Sequence, residues 1–197
     1  MPNFELSFAE FVLAASTDSL GDEPAAREHA DAVEFRLDLA ADPLDQLAAY
    51  DGELPIIATN RAAWEGGEAT DEAGRLETLA TAIEDDAVAA VDLELGVLTG
   101  AADTSGVDAD TATDAAVTNA TTTDRAREIR STARDRGVSV IASVHDFEAT
   151  PPVAELTERL RLGSENGDIA KLATTATDRD DALNLLTATH RATAAGR

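Results

Sequence analysis

A chain of 197 residues with 44% hydrophobic side chains is long enough to enclose one large core, and its 39 acidic against 15 basic residues give a formal charge of -24. The acids are dispersed rather than gathered in one tail, which suggests a surface adapted to a high-salt cytoplasm and argues against nucleic acid and anionic membranes, since both need a dense basic patch. The absence of cysteine excludes disulfides and thiolate metal sites.

The first ten residues carry acids and no basic leader, and no apolar run approaches the roughly 18 residues needed to span a bilayer. A cytoplasmic protein is expected. Phe11 to Ala15 reads as a first strand, Ala25 to Ala32 as a helix, and Ala32 to Leu37 as a second strand. Asp42 to Tyr50 reads as a helix with Asp-Pro at its start, and Leu54 to Thr59 as a third strand. Asp71 to Glu84 places Ala73, Leu76, Leu79, Ala80 and Ile83 on one helical face, and Ala87 to Leu95 follows as a fourth strand.

From Thr99 to Thr123 large apolar side chains nearly vanish, so residues 99–123 are expected to form a flexible surface insertion in a single domain spanning 1–197. Order resumes with a helix at Thr123 to Arg136, a strand at Val138 to Val144, a helix at Pro152 to Leu162, a strand around Lys171 and a helix at Asp178 to His190. Six strand-then-helix units predict an α/β fold with a parallel sheet, either open and doubly wound or a (β/α)8 barrel. No glycine-rich phosphate loop follows a strand, which disfavours nucleotide-binding versions.

Lys171 is the single lysine beside fourteen arginines. A guanidinium can replace an ammonium as a surface charge, but it does not lose a proton and attack a carbonyl; an amine does, forming an imine. Period-two alternation puts Val33, Phe35 and Leu37 on one face of the second strand and Glu34, Arg36 and Asp38 on the other. It likewise groups Thr59 with Arg61, Asp92 with Glu94, Ser143 with His145, and Ile169 with Lys171. Charges at the C-terminal ends of parallel strands are where such folds do chemistry. His29 and His190 fall among polar neighbours in predicted helices and are expected to be solvated. Asp146 is expected to hold nearby backbone. The loop Arg61-Ala-Ala-Trp-Glu65-Gly-Gly-Glu68 carries the one tryptophan and is read either as a cover for a site or as a turn with an exposed acid.

These segments resemble the type I 3-dehydroquinate dehydratases of the shikimate pathway. The resemblance is carried by Glu34-Phe-Arg36-Leu-Asp38, by Arg61 to Glu68, by Asp92-Leu-Glu94-Leu, by Ser143-Val-His145-Asp146-Phe147 with Thr150-Pro151, and by Asp168-Ile-Ala-Lys171. It implies a (β/α)8 TIM-barrel fold, a homodimer, no metal and no organic cofactor. It further implies dehydration of the small anionic substrate 3-dehydroquinate to 3-dehydroshikimate, with Lys171 as the imine-forming amine, His145 as the proton shuttle and Glu65 as the group that orients that histidine. Glu34, Arg36 and Arg61 are implied to hold the substrate hydroxyls and to add positive potential.

The sequence departs from the family at the long 99–123 stretch and at its end, since it stops at Arg197 without the last two strand-helix units. Those units supply the carboxylate clamp in the family, so weak binding, impaired turnover and association through open sheet edges are expected of the chain. Two readings stay open beside the dehydratase: another aldolase-type lysine-imine lyase, and an inactive barrel remnant.

Overall fold

The computed structural model describes residues 4–101 and 112–196, with only the backbone described at 112–119. Six strands form one sheet: β1 (Ala14–Thr17), β2 (Ala32–Arg36), β3 (Ile56–Thr59), β4 (Val88–Glu94), β5 (Ser139–Asp146) and β6 (Ile169–Thr174), in the spatial order of the sequence. The β1–β2, β2–β3, β3–β4 and β5–β6 pairings are parallel, as expected of strands joined by helical crossovers. The fold class is the expected α/β arrangement of the barrel type, with six strand-helix units.

Among the described residues six α-helices lie between the strands, α1 (Glu23–Ala26), α2 (Pro43–Ala48), α3 (Glu72–Ala82), α4 (Leu95–Thr99), α5 (Ala112–Asp135) and α6 (Val153–Asn166), and α7 (Arg179–Ala194) follows β6. Backbone contacts group the chain into two compact units, Met1–Asp92 with Arg125–Val140 and Leu93–Asp124 with Ile141–Arg197.

In the first unit, all four residues of β3 are buried, the signature of a parallel strand covered on both faces. Val33, Phe35 and Leu37 point into the core while Glu34, Arg36 and Asp38 are half-buried, so the predicted alternation holds. Helix α3 buries Leu76 and Leu79, as its pattern predicts, but also Arg75 and Ala82, while Ala73 is exposed. Glu23 on α1 is buried as well. Its carboxylate accepts the backbone N–H groups of Glu53 and Leu54, both at 3.1 Å, and pairs with Arg27. Burial opposes its ionisation, yet these donors hold the carboxyl below its ordinary range.

In the second unit, Leu156 and Leu160 of α6 pack with Ala188 and Ala192 of α7, and Ala170 and Leu172 of β6 lie against them. Emptying such a site, as in Leu156→Ala, costs roughly 2 to 5 kcal/mol. Gly163 lets α6 approach the sheet: a Cβ added there would lie 2.7 Å from the Ala170 Cβ and 3.5 Å from the Ala142 carbonyl oxygen.

Several boundaries differ from the sequence reading. Strand β1 starts at Ala14, and Phe11 is 87% exposed rather than part of the strand. The helix expected at Ala25 to Ala32 is instead a 3-10 turn at Leu20–Asp22 followed by the four-residue α1, with Pro24 fixing the φ of its first turn. Strand β6 is half-buried along its whole length rather than buried, consistent with its last place in the sheet order. Of the 99–123 stretch, residues 112–123 belong to α5, in a segment dominated by alanine and threonine and free of glycine and proline. The expectation of a flexible insertion at 102–111 lies outside the described residues. Among the described residues no helix is long and apolar enough to cross a membrane.

Candidate active site

The candidate residues of the second unit sit on β5 and β6. Parallel pairing places Ser143 opposite Lys171 and His145 opposite Ala173. Register partners in a parallel sheet point to the same side and residues two apart share a face, so Lys171 and His145 emerge from one face of neighbouring strands, two positions out of register. Both side chains are half-buried, and Ser143 beneath them is fully buried. The Phe147 ring lies 6.0 Å from that of His145 at 14° between planes.

Asp146 fixes the turn that leaves β5. Its Oδ1 accepts the N–H groups of Glu148 at 3.3 Å and Ala149 at 3.1 Å, and its Oδ2 takes Arg159 Nη1 at 3.2 Å. Burial opposes ionisation here too, but the two backbone donors and Arg159 outweigh it and hold the Asp146 carboxyl below its usual range. The expected backbone-holding role of Asp146 is thus observed. His29 and His190 are exposed, as expected, although His29 lies in the turn after α1 rather than in the expected helix and only His190 is helical.

The candidate residues of the first unit cluster at the C-terminal ends of β2, β3 and β4. Glu34 accepts a hydrogen bond from the Thr59 hydroxyl at 3.1 Å. Arg36 grips Asp38 with two hydrogen bonds, Nε to Oδ1 at 2.9 Å and Nη2 to Oδ2 at 2.6 Å. Arg61 is 4% exposed; its Nη2 stands 2.8 Å from Asp92 Oδ2 and its Nη1 3.8 Å from Glu65 Oε2. Asp38 also accepts the backbone N–H of Glu68 at 3.2 Å, which ties β2 to the loop beyond Arg61. Burial disfavours the Asp38 carboxylate, but the Arg36 guanidinium and the backbone N–H groups of Glu68 and Arg61 hold its carboxyl below the ordinary range.

The loop from Arg61 to Glu68 is fastened rather than loose. Gly66 occupies the left-handed region at φ 79°, and Gly67 passes so close to Arg61 that an added Cβ would lie 2.1 Å from the Arg61 carbonyl oxygen. Ala63 N–H reaches Ala69 O at 2.8 Å, and Ala69 N–H reaches Arg61 O at 3.2 Å. Glu65 is 7% exposed, so the reading of a turn with an exposed acid is replaced by that of a buried carboxylate held beside a guanidinium.

The partners of these residues are not legible in the sequence. Four carboxylates, Glu34, Asp38, Glu65 and Asp92, stand with two guanidiniums, Arg36 and Arg61, so the positive potential expected of the arginines is offset where they sit. Asp92 is visible as a strand-end acid, but nothing in its spacing points to Arg61. Among the described residues no group of three or more histidine, aspartate or glutamate side chains is arranged to hold a metal ion.

A family model described as type I 3-dehydroquinase matches residues 12–196. The 3-dehydroquinate dehydratase of Haloarcula marismortui is 50% identical over 191 residues, covering 97% of this chain and 75% of that protein. The 3-dehydroquinate dehydratase of Halobacterium salinarum is 46% identical over 191 residues, covering 97% of this chain and 76% of its own length. Among solved structures, the 3-dehydroquinate dehydratase from Geobacillus kaustophilus superposes with a TM-score of 0.68 at 22% identity, over 92% of this chain and 69% of that one.

Proposed function

Because the chain belongs to the type I 3-dehydroquinase family and carries its dehydratase activity, we propose that Lys171 is the amine that captures the ring ketone of 3-dehydroquinate. One observation carries this assignment: the sole lysine of the sequence shares a strand face with His145 on the neighbouring strand. An arginine in its place could hold the substrate but could not form the imine.

The Lys171 Nζ attacks the ketone carbon and the carbonyl oxygen leaves as water, giving an iminium that withdraws electrons from the adjacent carbon. His145 removes the proton there, and the electron pair moves to the iminium nitrogen to give an enamine. The pair then returns to expel the β-hydroxyl, which departs as water with a proton from His145. Hydrolysis of the conjugated imine releases 3-dehydroshikimate and restores the amine. Each step conserves charge and needs no oxidant or metal.

Glu34, Arg36 and Arg61 are proposed to bind substrate. Their surroundings favour hydroxyls over the substrate carboxylate, because the nearby acids repel an anion while guanidinium N–H groups and carboxylate oxygens can respectively donate to and accept from an alcohol. The role of Glu65 in supporting proton transfer by His145 rests on the family resemblance alone, as does homodimerisation.

The test is to add 3-dehydroquinate at high salt, follow the absorbance of the conjugated enone, and trap the intermediate with borohydride. An adduct mass on the peptide containing Lys171, abolished by Lys171→Ala, is the expected result. An adduct on the N-terminal amine, or enone formation that survives Lys171→Ala, overturns the assignment.

A further inference from the structure

Arg61 and Glu65 are flanked in sequence by Asn60 and Trp64, and these two flanking residues are both bonded to helix α3. Trp64 donates its indole Nε1–H to Glu72 Oε1 at 2.8 Å. Glu72 in turn receives Arg75 in a two-pronged pair, Nε to Oε1 and Nη2 to Oε2, each at 2.9 Å. Arg75 then closes the circuit on Asn60: its Nη1 donates to the Asn60 carbonyl at 3.3 Å, and Asn60 Nδ2 donates to the Arg75 carbonyl at 3.1 Å. All of these residues lie in the first compact unit.

Arg75 is 2% exposed and Asn60 6%, while Glu72 is half-buried. A guanidinium buried on the core side of a helix is costly unless its hydrogens are taken up, and a planar fork across a carboxylate is the strongest way to do so. A leucine would fill the same helix face at lower cost, so the polar circuit calls for another explanation. Its geometry supplies one, since it ends on the residue before Arg61 and on the residue before Glu65.

From this arrangement we infer that Trp64, Glu72, Arg75 and Asn60 form a positioning relay that fixes Arg61 and Glu65 relative to each other, so that α3, which contributes no group to the proposed chemistry, sets the geometry of that part of the site. The relay touches neither substrate nor reacting atoms. The kinetic part of this inference rests on the proposed roles of Arg61 in substrate binding and Glu65 in supporting proton transfer.

Arg75→Met tests the relay most directly but leaves a buried defect that can prevent folding, so Trp64→Phe and Glu72→Gln are the decisive variants. Trp64→Phe removes the indole N–H bond to Glu72 and keeps a smaller aromatic ring, while Glu72→Gln keeps side-chain size and weakens both the Trp64 bond and the fork to Arg75. The expected result is a rise of about tenfold in KM for 3-dehydroquinate, the loss associated with one hydrogen bond to a charged group. A merely destabilised protein has a smaller active fraction, which lowers apparent kcat and leaves KM unchanged. In an Arg61→Lys background the same substitutions should add little, because their effect passes through Arg61.

Amide hydrogen exchange of the 61–69 segment reads the relay without turnover. Faster exchange in Trp64→Phe and Glu72→Gln supports it. Unchanged exchange, or an unchanged KM in both variants, overturns it. Absence of enone formation by the wild-type protein would instead strike the functional reading and leave the exchange result to decide the relay.

Discussion

Arg61 and Asp92 form a buried ion pair, with side chains 5% and 0% exposed and 2.8 Å between Nη2 and Oδ2, joining the end of β3 to β4. Two charges taken out of water attract strongly, but each has forfeited its hydration, so removing one partner costs more than the pair contributes. Asp92→Ala is expected to destabilise the protein by about 3 to 5 kcal/mol in denaturant titrations at high salt. Asp92→Asn should cost less, since an amide oxygen still accepts. An Asp92→Ala variant as stable as the wild type would show that the contact carries no net energy.

His145 is expected to be the group that moves protons, and Lys171 the group that holds the substrate. His145→Ala should therefore lower kcat by at least about 10²-fold, the lower end for general acid–base catalysis, while borohydride still traps an adduct on Lys171. Near-normal turnover in this variant would reassign the base, with Glu65 next in line.

The acid limb of stability should depend on Asp38. Its folded-state carboxyl is held below the ordinary range because the Arg36 fork and two backbone N–H groups outweigh the effect of burial. A depressed pKa means that the unfolded chain binds the proton more readily, so this contribution is present above about pH 4 and is lost as pH falls through the lower folded value. Glu23 and Asp146 act in the same direction. Asp38→Asn should flatten the fall of melting temperature below about pH 4, and an unchanged slope would mean that this network does not control acid unfolding.

Salt should stabilise the fold. The formal charge of -24 repels itself across distances that screening shortens from about 10 Å at 0.1 M salt to about 3 Å at 1 M. Surface pairs such as Arg161 with Glu158 are screened over the same range, but exposed pairs contribute little. Melting temperature is expected to rise steeply between these concentrations, in keeping with the halophilic relatives, and a flat response would show that local pairing already neutralises the acids.

The parts of the site legible in the sequence are those that a single residue or a short period encodes. Lys171, the proposed amine, stands out because no other side chain in the sequence can make an imine, and the Glu34, Arg36, Asp38 face because period-two alternation against Val33, Phe35 and Leu37 leaves no other arrangement of a strand. The burial of Glu65 is not legible, since it depends on Gly67 folding back on Arg61, a contact between residues whose spacing looks like any turn. Arg75 is hidden for a different reason. A charged residue on a helix reads as solvent-facing, and only the three-dimensional meeting of Glu72 and Asn60 makes its burial tolerable. The start of α5 at Ala112 escapes the sequence reading because absence of large apolar residues argues against a packed face but not against a helix in a segment that has no glycine or proline to break it.

The close approach at Gly163 limits how this protein can be engineered. A glycine in the interior of a helix costs about 1 kcal/mol relative to alanine, and a designer seeking a hardier variant would replace it first. Here the added methyl would collide with Ala170, the residue immediately before Lys171. The helix would gain intrinsic propensity and the strand beneath it would have to shift, carrying the amine off its register with Ser143. Thermal hardening of α6 and the imine chemistry proposed for Lys171 are therefore opposed at this one position, and stabilising substitutions belong on the outer face of the helix instead.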